Sequence, residues 1–131
     1  MENINNKKPK LNPEQTIHNW LKVVSLHNPN DIVSLYTEDG VLLGTLAENI
    51  KKGRENVIDY FNEFVKKKPT GKITSIFIQE NNDFAIVDGT YTFCLNNKNK
   101  EQYLPARFTF VLKNINNIWM IATHHSSKQP V

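Results

Sequence analysis

The chain has 131 residues, of which 39% are hydrophobic and 22% are charged, and its formal net charge is +3. This length fits one folded domain with a sizeable core, and the hydrophobic content excludes a chain that is disordered over most of its length. The lysines are scattered or stand in short runs, without the interleaved arginines and aromatic residues of a nucleic-acid-binding surface. We therefore predict no nucleic-acid partner.

The cysteine content and the hydrophobic pattern of the chain indicate its cellular compartment. Cys94 is the sole cysteine, which excludes an intrachain disulfide and a cysteine-based zinc site and fits a reducing compartment. No stretch approaches the length of a membrane span, and the first ten residues lack the apolar core of a signal peptide. We expect a cytoplasmic protein without a membrane partner.

Residues 1–12 are polar and precede any periodic pattern, so we expect a flexible leader followed by a single domain over residues 13–131. Asn12 as cap, Pro13 in the first turn and Gln15 near the capping-box position predict a first helix that ends near His27. A second, short helix is predicted over Asp31–Tyr36, capped by Asn30 or Asp31, and an amphipathic third helix over Arg54–Lys67. Between them we expect a turn at Thr37–Gly40, a short strand at Val41–Leu43 and a loop at Gly44–Gly53 that flanks a cavity.

After residue 69 the pattern changes from helical spacing to runs of strand-forming residues separated by asparagine-rich turns. Sequential strands with short turns predict an antiparallel meander, and helices followed by strands indicate an α+β fold. The four predicted strands are Lys72–Gln79, Ala85–Leu95, Tyr103–Lys113 and Ile118–Ser126.

The last two predicted strands carry apolar residues on both faces. Helices cover one face of a sheet, so the other would leave hydrophobic surface exposed. We expect a homodimer that forms through this outer face.

Three stretches carry a family resemblance: D-I-V-S-L-Y-T-E-D-G-V-L-L, K-G-R-E-N-V-I-D-Y-F and the terminal W-M-I-A-T-H-H-S-S. With the order of elements, they resemble the nuclear transport factor two-like superfamily over Pro13–Pro130, and within it the SnoaL-like and calcium/calmodulin-dependent kinase association-domain-like bacterial proteins. The resemblance implies a cone-shaped fold in which a curved antiparallel sheet wraps around a long helix and leaves a deep cavity. Because members include isomerases, dehydratases, cyclases, transport adaptors and oligomerisation domains, the fold does not select a function.

The steroid isomerases of this superfamily use a carboxylate base and two acidic hydrogen-bond donors. The resemblance places the base at Gly44, one donor at Trp20 and the buried acid at Arg107. Glycine cannot abstract a proton, the tryptophan N–H is weakly acidic, and arginine stays protonated, so this chemistry is disfavoured.

Arg107 lies in the middle of a predicted strand, where a buried guanidinium needs an anionic partner. A four-residue loop at Asn114–Asn117 would pair Lys113 with Ile118 and place Arg107 opposite His124 on one face. The pair would then bind a carboxylate or another small anion. The alternatives are a salt bridge to Asp88, Glu101 or Glu38, or solvent exposure.

His124 and His125 point to opposite faces because neighbours on a strand alternate, so they cannot share one metal ion. We place His124 in the cavity, and a one-residue bulge would exchange the two. His27 with either histidine lacks a metal-binding spacing, so we predict no metal and no cofactor. Ser126 and Ser127 lack a nucleophile motif and are interpreted as backbone-bonding residues of the tail.

Aromatic residues are the remaining candidates for the cavity wall, with core packing as the alternative, especially for the phenylalanines. The candidates are Trp20, Tyr36, Tyr60, Phe64, Phe77 and Tyr91. The predicted function is binding of a small molecule, with anions among the candidate ligands. If the protein is an enzyme, we expect a cofactor-independent lyase or isomerase step with His124 as acid or base and Arg107 as anion stabiliser. The alternative is a non-catalytic oligomerisation or peptide-binding module like the kinase association domains.

Overall fold

The computed structural model describes residues 9–130. It contains three helices and six strands that form a single curved sheet, so the predicted α+β fold is confirmed. Most of the expected leader lies outside the described residues. The helices are α1 (Pro13–Val24), α2 (Pro29–Val33) and α3 (Arg54–Phe64), and the strands are β1 (Tyr36–Leu43), β2 (Lys51–Lys52), β3 (Thr70–Glu80), β4 (Phe84–Asn97), β5 (Lys100–Ile115) and β6 (Ile118–Lys128).

The predicted capping box opens α1. The Asn12 side chain accepts a hydrogen bond from the Gln15 backbone N–H at 2.8 Å, and the Gln15 side chain accepts one from the Asn12 backbone at 2.9 Å. The helix presents Ile17, Trp20 and Val24 to the core, where each is at most 2% exposed. It ends at Val24 rather than near His27, which has a positive φ of 63°. A residue in the left-handed region cannot continue an α-helix.

Three local predictions between α1 and α3 differ in part from the structure. The second helix starts two residues early, because Asn28 caps it and Pro29 occupies the first turn. The predicted turn at Thr37–Gly40 is part of β1, and the predicted loop at Gly44–Gly53 contains the short strand β2. The third helix ends at Phe64, where one 3₁₀ turn over Val65–Lys67 continues the predicted helix.

The strand order is β2-β1-β6-β5-β4-β3. The meander β3–β6 is antiparallel as predicted, whereas β1 runs parallel to β6. The helices pack on the inner face of the sheet, where aromatic and aliphatic side chains build the core. None of the helices over residues 9–130 is long and apolar enough to cross a membrane.

The turn between β5 and β6 decides which residues face each other. It contains two residues, Asn116 and Asn117, with φ values of 53° and 64°, as expected for a tight hairpin in which both central residues are left-handed. Ile115 therefore pairs with Ile118, and the predicted four-residue loop is wrong. A register shift between Val111 and Leu112 adds one more residue of offset further along the hairpin.

That register shift is a bulge in β6 at Ala122, since Ile121 pairs with Leu112 and Thr123 pairs with Val111. The bulge changes the alternation of inward and outward side chains. Ile121 is buried before it, and His124 and Ser126 are buried after it. Strict alternation would place Ile121 and His124 on opposite faces of the sheet. Because of the bulge, both lie on the inner face.

Candidate functional site

His124 lies on the inner face of β6, is 2% exposed, and has a hydrogen-bond partner at each ring nitrogen. Its Nδ1 lies 3.0 Å from the Tyr36 hydroxyl, and its Nε2 lies 3.1 Å from the Tyr91 hydroxyl. Tyr36 starts β1 and Tyr91 lies in the middle of β4. Three strands thus contribute to one buried polar cluster.

The hydrogen bonds of Tyr91 identify the tautomer of His124. Tyr91 donates its hydroxyl proton to Ser126 Oγ at 2.6 Å, so its oxygen accepts from Nε2–H of His124. Nδ1 is then an acceptor, and Tyr36 donates to it. The Tyr36 oxygen in turn accepts from Trp20 Nε1–H at 3.1 Å. The donors therefore run in one direction along a chain from the Trp20 indole to Ser126.

The chain ends at a pair of hydroxyl groups. Ser126 Oγ lies 2.7 Å from Thr45 Oγ1, in the loop that follows β1, and either oxygen can be the donor. One proton is used in this bond, and the Ser126 oxygen already accepts from Tyr91. Among the hydrogen bonds of residues 9–130, the second hydroxyl proton of the pair has no acceptor. The site therefore offers one free O–H donor at the end of the chain.

The surroundings of His124 are apolar. Phe110 stacks on the imidazole with ring centroids 3.9 Å apart and planes 12° apart, and the Trp20 indole meets it edge-on at 5.0 Å. Burial, with a smaller contribution from His125, lowers the pKa of His124 to about 3. The imidazole is neutral at physiological pH, as the direction of the hydrogen-bond chain requires.

The tyrosines of the chain are weak acids in this environment. Burial raises the pKa of Tyr36 and of Tyr91 well above the ordinary value, although the hydrogen bonds of Tyr36 with Trp20 and of Tyr91 with Ser126 act in the opposite direction. Both hydroxyls therefore remain protonated, and they serve as hydrogen-bonding groups rather than as sources of a proton.

A small inner cavity adjoins this chain. Its volume is about 10 Å³, which is room for about one water molecule. The superfamily resemblance implies a deep cavity, but side chains fill most of the cone. The lining residues are predominantly aromatic and aliphatic, with Thr45, Tyr91, His124 and Ser126 as the polar ones among them.

A larger pocket of about 200 Å³ lies on the outer side of Tyr60 and Phe64. These two rings line both hollows. The remaining lining of the outer pocket combines Leu46 and Ala47 with charged side chains of both signs: Lys51, Asp59, Glu63 and Lys67.

The structure brings together most of the predicted site residues. Trp20, Tyr60, Phe64, Tyr91 and His124 line the inner cavity, and Tyr36 lies behind them as a hydrogen-bond partner of His124. Phe77 lies elsewhere. It is 69% exposed and pairs with Asp88 on the outer face of the sheet, so the expectation that it lines the cavity is wrong.

The predicted pairing of Arg107 with His124 is also wrong. The tight turn and the bulge shift the register, so Arg107 pairs with Ser127 and His124 pairs with Phe110. Arg107 follows the buried Ala106 and precedes the buried Phe108, which places its exposed side chain on the outer face. No ion pair of Arg107 occurs within residues 9–130, so of the alternatives considered, solvent exposure is the one observed.

Two residues of the hydrogen-bond chain were missed from the sequence. Ser126, interpreted as part of the tail, accepts from Tyr91, and Thr45 completes the chain. A signal for Ser126 was available, because a residue two positions after an inward-facing His124 shares its face. Thr45 had no comparable signal beyond its place in a loop expected to flank the cavity. In the part of the chain that is described, no group of three or more metal-ligating side chains is placed to hold a metal ion.

Comparison with known proteins agrees with this fold. A family model described as a SnoaL-like domain matches residues 14–131. The chain belongs to the SnoaL-like domain family. The predicted membership in the nuclear transport factor two-like superfamily is thereby confirmed. No match to this SnoaL-like domain is found among the curated proteins.

Solved structures extend the comparison. The SnoaL-like domain is 33% identical to a protein from Xanthomonas campestris described as a calcium/calmodulin-dependent protein kinase II association domain, over 95% of this chain and 96% of that one, with a TM-score of 0.85. A ketosteroid isomerase-like protein from Erwinia carotovora atroseptica shares 17% identity over 90% and 94% of the two chains, with a TM-score of 0.74. A Novosphingobium aromaticivorans protein described as a scytalone dehydratase shares 11% identity over 89% and 81%, with a TM-score of 0.79. The last two show a common fold alone.

Proposed function

We propose that this SnoaL-like domain binds a small, uncharged and largely apolar molecule through a carbonyl oxygen. The observation that carries the proposal is the free hydroxyl proton of the Ser126–Thr45 pair, at the end of a buried hydrogen-bond chain and beside an aromatic cavity. A carbonyl oxygen is the simplest acceptor for a single O–H donor. Aromatic walls with a few placed polar groups are typical of small-molecule sites.

The ligand is uncharged because the inner cavity offers no counter-ion. Its lining contains no Lys, Arg, Asp or Glu, and His124 is neutral. A carboxylate buried there would lose its hydration without gaining a cationic partner, which is costly. The anionic ligand expected from Arg107 is therefore replaced by a neutral ketone, aldehyde or ester.

Binding fits the residues better than catalysis does. The catalytic alternative is an isomerase- or lyase-type reaction, after the names of the Erwinia and Novosphingobium relatives, which share the fold with this chain. Such a reaction needs a group that removes or donates a proton. Both nitrogens of His124 already have partners, its pKa is about 3, and no carboxylate lines the cavity. The lyase or isomerase candidate lacks its acid or base here.

A thermal-shift comparison of 2-nonanone and nonanoic acid tests the proposal. The two molecules have the same chain length and differ in the charge of the polar group. At ten times its dissociation constant, the ketone should stabilise the protein by about 1.4 kcal/mol, which raises Tm by roughly 5 °C for a domain of this size. The acid should produce a smaller shift, because the inner cavity beside Ser126 has no cation for its carboxylate.

Two neighbouring serines provide a matched pair of variants. Ser126→Ala removes a hydroxyl of the site, whereas Ser127→Ala removes the hydroxyl of the next residue, which pairs with Arg107 in the β5–β6 ladder. The ketone should stabilise Ser127→Ala as it does the wild type, and should lose most of its effect on Ser126→Ala. Equal shifts for the two variants, or a larger shift with nonanoic acid, would contradict the proposal.

A second candidate, an oligomerisation module, is supported by the outer face of the sheet. Large hydrophobic residues are exposed there, including Phe77 at 69% and Tyr103 at 65%. The Xanthomonas relative at 33% identity is described as an association domain. A homodimer through this face is the proposed form, and a cytoplasmic location remains part of the proposal because Cys94 is the sole cysteine.

Sedimentation velocity tests the dimer. A twofold mass at micromolar concentration that is lost in Phe77→Glu supports the outer face as the interface. A monomer at the same concentration contradicts it. The result is independent of ketone binding, so the two candidate functions are separated.

A further inference from the structure

Two aromatic rings form the partition between the inner cavity and the outer pocket. Tyr60 and Phe64 line both hollows, and they lie one turn apart on α3, so they are adjacent on the helix surface. Their ring centroids are 5.7 Å apart. The inner cavity holds about 10 Å³ and the outer pocket about 200 Å³. Ligand sites for drug-sized molecules occupy roughly 300–1,000 Å³, so neither hollow is sufficient alone.

Tyr60 owes its position to Gly44. A Cβ atom added to Gly44 would lie 2.3 Å from Cε2 and 2.7 Å from Cζ of the Tyr60 ring, closer than nonbonded carbon atoms approach. The backbone does not itself require glycine here, because Gly53 is the glycine with a positive φ among residues 9–130. The Tyr60 ring therefore packs directly against Gly44, in space that any side chain at this position would occupy.

Of the two rings, Tyr60 is the one more exposed to solvent. Phe64 is 5% exposed and packs edge-on against Phe93 at 5.3 Å, so its displacement would open the core. Tyr60 is partly exposed, and its hydroxyl faces the backbone of Leu46 in the loop after β1. A change of side-chain rotamer on a helix surface is a small, local movement.

We infer that Tyr60 sets the length of ligand that this site admits, an inference that rests on the proposed function. With the ring on Gly44, the space beside Ser126 holds about one water molecule. With the ring turned away, the two hollows and the space it vacates form one elongated site. The corresponding ligand is a chain-like ketone or ester, with its carbonyl oxygen at Ser126 and its apolar chain running toward Leu46 and Ala47 in the outer pocket.

Fluorescence quenching of Trp20 measures, without any ligand, how well the Tyr60 and Phe64 rings shield the inner cavity. Trp20 lines the inner cavity, and a Trp119→Phe background makes it the sole tryptophan, since the chain contains two. Quenching by acrylamide, a small neutral molecule, should increase several-fold in Gly44→Ala, in which the new Cβ displaces the ring, and in Tyr60→Ala. Tyr60→Phe, which retains the ring, should restore the shielding. Tyr103→Ala, the same kind of truncation on the outer face, serves as the control.

A binding measurement completes the test. If the closed ring position dominates in the wild type, Tyr60→Ala should bind 2-nonanone about tenfold more tightly, because apparent affinity is reduced by the fraction of molecules that are open. The gain should be larger for 2-nonanone than for 2-butanone. Thermal unfolding of each variant shows that it is folded before it is titrated.

The outcomes separate the inference from the proposed function. Unchanged shielding of Trp20 in both Gly44→Ala and Tyr60→Ala overturns the inference, whatever the ketones do. Greater quenching with no binding of either ketone supports the partition and overturns the proposed function. Greater quenching with a tighter, length-dependent affinity in Tyr60→Ala supports both.

Discussion

Acidification from pH 7.5 to pH 5 should destabilise this protein by about 2 kcal/mol through His124 alone. The imidazole has a pKa of about 3 in the folded state and about 6.5 in an unfolded chain. Between these values the unfolded state binds one more proton, so the free energy of unfolding decreases as the pH falls. A pH of 5 lies about 1.5 units below the pKa of the unfolded state, and each unit lowers the free energy of unfolding by about 1.4 kcal/mol. The stability is fully present above pH 6.5.

The physical cause is the hydrogen-bond chain. Protonation would place a hydrogen on Nδ1, where His124 now accepts from Tyr36, and the Tyr36 oxygen already accepts from Trp20. The charged imidazole would also be buried between Phe110 and Trp20. Both the lost hydrogen bond and the desolvated charge favour unfolding over protonation in place.

Urea denaturation at the two pH values measures the effect. His124→Gln should lose about 2 kcal/mol of the pH dependence, whereas His18→Gln, at a position where the side chain is 54% exposed, should keep it. If His124→Gln does not fold, ¹⁵N chemical shifts of the wild-type imidazole provide the same information. A neutral Nε2–H tautomer that persists at pH 5 agrees with the structure. Titration of His124 near pH 6.5 would refute the reasoning.

Four further predictions concern other parts of the molecule. Tyr91→Phe should destabilise the protein by about 1–3 kcal/mol in urea denaturation, because it leaves a buried donor unpaired. Gly89→Ala should cost about 3 kcal/mol or more in the same assay, since the new Cβ would lie 2.1 Å from the Ser75 carbonyl oxygen. Asn12→Ala should cost about 1 kcal/mol by removing the cap of α1. In D₂O, the α protons of 2-nonanone should exchange no faster with the protein than in buffer, as monitored by proton NMR; faster exchange would indicate a catalytic base.

Local sequence signals predicted much of the fold. The capping box at Asn12 and Gln15 identified the start of α1, and alternating strand-forming residues identified the four strands of the meander. Both signals act within a few residues of the chain, so they can be read without knowledge of the tertiary structure. The family resemblance added the curved sheet and its inner face.

The register of β5 and β6 could not be obtained in the same way. The predicted loop spanned Asn114–Asn117, whereas the turn itself is Asn116–Asn117 with both residues left-handed. A two-residue turn requires this backbone conformation, which asparagine tolerates. The bulge at Ala122 then reversed the alternation, and no local signal marks it. These two shifts pair Arg107 with Ser127 instead of His124, and the alternation along β5 places Arg107 on the outer face.

The candidate site was predictable only in part. Side chains with unusual chemistry, such as His124 and Trp20, were identified from their types and positions. The hydrogen-bond chain depends on distances among β1, β4 and β6 that the sequence does not contain. The Tyr60 ring fills part of the interior and packs against Gly44. This contact likewise depends on the packing between α3 and the end of β1.

The most direct test of ligand binding is the position of bound 2-nonanone. Intermolecular nuclear Overhauser effects in a complex with isotope-labelled protein should connect the methyl group beside the ketone carbonyl to the rings of Trp20 and Tyr91, and the far end of the chain to Leu46. This pattern would place the carbonyl beside Ser126. Contacts to Phe77 or Tyr103 on the outer face, or the absence of contacts at saturating ketone, would contradict the account.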